Sequence, residues 1–328
     1  MTGFSHGRGT GYDYATVGYD AATGRRLWVR RYNFAGSGDD FANAVAVSPD
    51  GTTVYVTGDS SGDYATVAYS AATGRRLWVR RHGPANRDDD ASSVAVSPDG
   101  TTVFVTGSSQ GGTSGYMATV AYSATAGRQL WVRHYRDPDD AGGSSVAVSP
   151  DGATVFATGD SWSRATSTDY ATVAYSAATG NQLWASRYND AANQGDGALS
   201  MAVSPDGARV FVTGYSYSRT ATQNYVTVAF DAATGRQLWV SRYNGPDGAA
   251  ESVAVSPDGT TVYVTGSIQG RTGFDNYATV AYSAADGTQL WVRRYKGDAW
   301  SVAVSPDGTT VFVTGSGDGG YVTVAYRG

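Results

Sequence analysis

Hydrophobic and polar residues alternate along this chain in short bursts of period two, the spacing of a strand with one covered face. One such burst, Ser252-Val253-Ala254-Val255, runs into Ser-Pro-Asp-Gly and then into a second burst over 261–265. Proline presets φ and glycine supplies a positive φ, so the two bursts read as a hairpin. A third segment, Tyr64-Ala65-Thr66-Val67-Ala68-Tyr69, is apolar on both faces, as a strand buried between two sheets should be. A fourth, over 25–32, sets Leu-Trp-Val between arginines, whose charge blunts an outer sheet edge. We label the four strands A, B, C and D, from the centre outward. No segment has the 3.6-residue period of a helix, and almost none is expected.

The pattern repeats. The Pro-Asp-Gly turn recurs at Asp50, Asp99, Asp151, Asp206, Asp258 and Asp307, spaced by 49, 52, 55, 52 and 49 residues. The threonine of strand C recurs at Thr16, Thr66, Thr119, Thr172, Thr227, Thr279 and Thr323, and the tryptophan of strand D at Trp28, Trp78, Trp131, Trp184, Trp239 and Trp291. A fifty-residue period with four strands per repeat predicts an all-β chain, a β-propeller of six or seven four-stranded antiparallel blades. Stacked blades bury one another, so the ring is expected to be closed by the N- and C-terminal strands. One propeller domain over 1–328 is expected, with repeats near 33–82, 83–135, 136–188, 189–243, 244–295 and 296–328, plus 12–32. Strand C occurs seven times and the other three phrases six times. Either the terminal pieces share a sixth blade, or there are seven blades and the first lacks A and B because Met1 is an internal start.

Composition narrows the chemistry. The chain has no cysteine, so disulfides, thiolate metal sites and cysteine nucleophiles are excluded. Its net charge is −5, and its arginines recur with the repeat instead of forming a patch, so no nucleic-acid partner is expected. No apolar run is long enough for a helical membrane span, and the first residues show no signal-peptide pattern.

Strand D also carries a spaced motif: a small residue, then Asp or Ser, Gly and Trp, as in Gly18, Asp20, Gly24 and Trp28 or Ala229, Asp231, Gly235 and Trp239. Serine takes the second place at Ser70, Ser123, Ser176 and Ser283. This resembles the tryptophan-docking motif of PQQ-like, quinoprotein-type propeller repeats, and the phrase VAVSPDGTTVYVTG resembles bacterial SBBP and YVTN-type repeats. The resemblance implies a structural, blade-locking role for Trp28, Trp78, Trp131, Trp184, Trp239 and Trp291, each set against a turn glycine among Gly24, Gly74, Gly127, Gly180, Gly235 and Gly287. It implies an extracellular or cell-envelope location. It does not carry a PQQ cofactor over, because the family's enzymes typically have eight blades and often an adjacent cysteine pair.

No catalytic residue is assigned. His6 lies in the N-terminal segment, and His82 and His134 replace the Tyr32 and Arg31 of the first repeat. The loops between D and the next A hold Asp39, Asp40, Asp88, Asp89, Asp90, Asp139, Asp140, Asp196, Asp247 and Asp298. Of these, all but Asp88 are taken as candidate Ca²⁺ ligands, since a hard cation wants several oxygens. The B–C loops vary in length while the A–B and C–D turns do not, and repeat proteins place such variation on the binding face. These loops carry Trp162, Tyr215, Tyr217 and Phe274, and Trp300 stands just before a strand A. Aromatics among Ser, Asn and Gln suit a glycan, peptide or protein ligand. The expectation is a monomeric, non-catalytic binding or scaffold module. The alternative is a propeller enzyme, either a PQQ-type oxidoreductase or a glycan hydrolase or lyase.

Overall fold

The computed structural model describes residues 1–7, 9–34, 38–83, 89–111, 114–136, 140–220, 222–245, 247–269, 276–317 and 319–328. Among them every regular element is a strand. The strands make seven antiparallel sheets, five of four strands and two of three, each in the meander order of a propeller blade. Blade 2 shows the pattern, with A at Asp40–Val47, B at Thr53–Ser60, C at Asp63–Ser70 and D at Arg76–His82.

Seven blades, not six, is the outcome, and the start of the chain needs a correction. Thr2–His6 pairs with Tyr12–Tyr19 and sets Thr2 opposite Thr16, as Thr57 is set opposite Thr66 in blade 2. Blade 1 therefore has B, C and D and lacks only A, while blade 7 has A, B and C. Met1-Thr2-Gly3 is the tail of the Val-Thr-Gly phrase, but Phe4-Ser5-His6 has too little alternation to announce a strand.

The chain divides into two compact units. The first takes Met1–Val148, Gly152–Ala157 and Tyr175–Asn181, and the second takes Ser149–Asp151, Thr158–Ala174 and Gln182–Gly328. The first unit holds a core around Tyr64, Ala68, Trp78, Val105 and Tyr122. The second holds one around Phe211, Trp239, Val264, Val280 and Tyr282.

Three devices recur among the blades. The first is a β-bulge on strand A, where Ala42 opposes Gly58 but Ala44 opposes Thr57, leaving Asn43 extra. The bulge brings the Phe41 carbonyl so close that a Cβ on Gly58 would lie 1.9 Å from it. This is why Val-Thr-Gly ends in glycine. Gly3 in blade 1, which has no strand A, faces open space.

The second device is a buried threonine pair between B and C, with Oγ1 atoms 3.0–3.1 Å apart in blades 2 to 6. In blade 2 the B-strand Thr57 donates to the Ala65 carbonyl and pairs with Thr66, so neither hydroxyl of the pair is buried unbonded.

The third is a bulge on strand D. Ala68 opposes Trp78 and Tyr69 opposes Arg76, so Leu77 is extra and turns outward. The same shift recurs in blades 1, 3, 5 and 6. It aims the indole at the next blade. Trp28, Trp78 and Trp131 lie over Gly74, Gly127 and Gly180 in the first unit, and Trp184 and Trp239 over Gly235 and Gly287 in the second. Each indole N–H donates to an alanine carbonyl of that turn at 2.7–3.2 Å. Trp291 packs between Tyr263 and Tyr326.

Candidate functional site

The residue after the Thr-Gly of strand B lies beside the head of a strand A, the next blade's for Asp59 and Asp160 and its own blade's for Tyr215. It is Asp59 in blade 2, Asp160 in blade 4 and Tyr215 in blade 5. In the second unit Asp160 sits on strand Thr154–Ser163 and accepts from the Ala198 amide of strand Asp196–Val203 at 3.0 Å. Burial pushes its carboxyl up to about 6. Tyr215, on strand Arg209–Tyr217, lies flat over Gly197, where a Cβ would meet its ring at 2.5 Å. Burial, and then the Asp160 charge, raise the Tyr215 hydroxyl. Tyr217 stands edge-on to Tyr215, with ring centroids 5.7 Å apart, and borders Gly195. Trp162 follows Asp160 by two residues on the same strand face and is 40% exposed. Asp160, Tyr215 and Tyr217 thus border the head of strand A in blade 5. Tyr215 and Tyr217 meet directly.

The other aromatic candidates lie elsewhere. Trp300 is 50% exposed and stands edge-on to Tyr321 in blade 7. Phe274 lies outside the described residues, as does Asp139.

The acidic candidates separate by environment. Asp40, Asp89 and Asp196 are buried. Asp40 accepts from the Phe34 amide and Asp196 from the Asp190 amide, in each case six residues back. Asp89 accepts from the Ser109 hydroxyl and the Gln110 amide. Burial raises Asp40 and pushes Asp196 up to about 6. Asp39 caps the Tyr12 amide, Asp90 accepts from Asn43, and Asp140 caps the Ala141 amide. Asp247 accepts from the Gln223 amide, and Asp298 from Ser316 at 3.4 Å. Among the described residues no three acidic or histidine side chains come together as a metal-binding group.

Sequence reasoning missed Asp59, which burial and the Asp90 and Asp40 charges push up to about 6. It also missed a cross-strand pair, Asp63 with Arg81 at 2.6 Å, repeated by Asp169 with Arg187 and by Asp13 with Arg31 at 3.6 Å. In blade 3 the pair becomes Tyr116 and His134, ring on ring at 4.3 Å, and His134 lies 6.3 Å from His82. Burial lowers both imidazoles.

The clefts at the other end of the strands are lined by turns. One of about 870 Å³ runs between the Pro-Asp-Gly turns of blades 6 and 7. Its Asp258 and Asp307 accept from their own turn's Ser and Thr hydroxyls, which leaves them occupied with closing the hairpins.

The Asp160 shift has a measurable consequence. The folded chain holds that proton to about pH 6, whereas an unfolded aspartate releases it near 4. Stability is therefore lost as pH rises through that window and stays lower above it. Asp160→Asn, which keeps an acceptor for Ala198, should stabilise the fold by about 3 kcal/mol at pH 8 and by well under 1 kcal/mol at pH 4. Denaturant midpoints at the two values decide it, and an equal change at both would refute the assignment.

The geometry agrees with comparisons to known proteins. Residues 13–275 match the family model described as outer membrane protein assembly factor BamB, of the PQQ-like repeats. Residues 290–320 match the WD domain, G-beta repeat. No curated protein sequence matches the chain significantly. Kuenenia stuttgartiensis hydrazine synthase superposes with a TM-score of 0.65 at 16% identity, over 96% of this chain and 89% of that one. The periplasmic gluconolactonase PpgL of Pseudomonas aeruginosa gives 0.62 at 16% identity, over 100% and 95%. At that identity these two likenesses show the fold alone. With the BamB-type model spanning most of its length, the chain belongs to the PQQ-like β-propeller repeat family.

Proposed function

We propose that the chain is a ligand-binding propeller whose site is the patch at the head of strand A in blade 5, and that it takes a carbohydrate. The observation that carries the reading is the Tyr215–Tyr217 platform beside the Asp160 carboxyl. Aromatic faces stack on apolar sugar faces while a carboxyl accepts from hydroxyls, which is the usual mix of apolar wall and few polar groups. An exported or envelope location fits, given a family model described as an outer membrane assembly factor and a periplasmic structural relative.

Glycan and peptide arrays on the intact chain, with and without Ca²⁺, test this. A glycan should bind, and Trp162→Ala with Tyr217→Ala should weaken it at least about tenfold, the loss of about 1.4 kcal/mol. The melting temperature should stay unchanged, because neither ring is part of a blade core. Unchanged affinity in the double variant would remove the site.

A second reading is enzymatic. A carboxyl titrating near 6 suits a general acid or base, and one structural relative is named a gluconolactonase. Turnover of sugar lactones that disappears in Asp160→Asn while glycan binding persists would favour it.

A further inference from the structure

Besides the indole on its glycine turn, neighbouring blades share a second contact near the far end of strand D. The residue four places after one blade's tryptophan meets the residue three places after the next blade's. At three joints these two are tyrosine and arginine. Arg81 hydrogen-bonds to Tyr32 of the blade before it. Arg242 donates to the Tyr188 hydroxyl at 2.5 Å, and Arg294 to the Tyr243 hydroxyl at 2.5 and 2.8 Å. A guanidinium keeps its charge at any pH the fold meets, so acidity leaves these contacts alone.

Blades 2 and 3 meet differently. His82 stands in the tyrosine's place and His134 in the arginine's, with ring centroids 6.3 Å apart. Each imidazole packs on a tyrosine of its own blade, His82 on Tyr64 at 5.8 Å and His134 on Tyr116 at 4.3 Å. Few charges face the pair. Asp89 acts on both rings, and among the described residues its buried Oδ2 has no hydrogen-bond partner. Asp63 faces His82 but is held by Arg81 at 2.6 Å. Arg136, 4.7 Å over the Tyr116 ring, adds a positive charge beside His134. One imidazolium therefore has Asp89 to answer it. A second has no free carboxylate left and faces both the first and Arg136.

We infer that the joint between blades 2 and 3 is loosened by acid: it stays closed while at least one of His82 and His134 is neutral and opens when both carry a proton. Burial lowers both imidazoles, and the His82 charge lowers His134 further. The unfolded chain, whose histidines charge near 6.5, thus takes up these protons first as pH falls. The stability due to the neutral pair is complete above that pH and is lost as pH falls through it toward the lower folded values. Asp59 and Asp90, raised by burial, act in the opposite direction, so the pair must be read against a variant at the same pH.

The test compares the whole chain with His82→Tyr/His134→Arg, which installs the residues of the other joints. Amide hydrogen exchange over 76–82 and 129–135 is followed by mass spectrometry at low ionic strength. Taking the ratio of wild-type to variant rates at each pH removes the effect of pH on exchange itself. That ratio should rise at least about threefold from about pH 7.5 to about pH 5, the scale on which two unit charges at that separation repel even in water. His82→Gln, which cannot take the second proton, is a second reference and should give the same rise. The His82 and His134 ring resonances should titrate in two separate steps, both below a free histidine. A ratio that stays flat against either reference, or two imidazoles that titrate together as free histidines do, overturns the inference.

Discussion

Gly214→Ala will destabilise the chain by about 3 kcal/mol or more, toward the upper end of what overpacking costs. The new methyl would lie 1.9 Å from the Gly197 carbonyl. That atom belongs to a bulged strand already committed to its pairing, with Ala198 opposite Gly214 and Ser200 opposite Thr213. Backbone cannot swing aside as a flexible side chain can, so the A–B ladder must part. The control lies in the same chain: Gly3→Ala, at the matching place in a blade without strand A, should be neutral within about 0.5 kcal/mol. Urea titrations of the two variants provide the measurement. Equal losses would mean that the bulge is not what demands glycine.

The second large effect is Trp78→Ala, expected to cost about 3–5 kcal/mol, as truncating a buried tryptophan does. The ring lies over Gly127, against Tyr55 and Tyr122, at centroid distances of 5.7 and 6.3 Å. Its removal also takes the indole donor from the Ala124 carbonyl, leaving a bond of 2.8 Å unmade. Trp78→Phe should recover part of the loss by refilling volume without restoring the donor. Trp162→Ala is the contrast, since that ring is exposed and holds no blade. Thermal unfolding of the three variants checks the order, and a Trp78→Ala chain as stable as Trp162→Ala would refute it.

Much of this was legible in the chain because each blade repeats the same local instructions. Pro-Asp-Gly marks every A–B hairpin, and the aspartate closes the turn by accepting from Ser48 and Thr52 or their counterparts. The strand class and the arginine-flanked tryptophan follow from period and spacing alone. What was not legible depends on the neighbouring blade. Asp59 and Asp160 look like loop aspartates until the next strand A covers them, and their raised affinity for protons is a product of that cover. Asp40, Asp89 and Asp196 look like solvent-facing carboxylates, yet each is buried. His82 and His134, 52 residues apart in sequence, become neighbours because the repeat sets successive D strands side by side, although the two positions differ by one residue within the repeat. The seventh blade stayed ambiguous because its evidence was a five-residue strand with weak alternation.

The plug-and-seat joint has a consequence for how such chains grow. Each complete blade carries both halves, an indole for the blade ahead and a glycine turn for the blade behind. Duplicating or deleting one whole repeat therefore leaves every remaining joint with its proper mate, while a cut inside a repeat strands one half. Lineages built this way can change size by whole blades with no compensating substitution, and the near-identity of successive copies is what such recent duplication would leave behind.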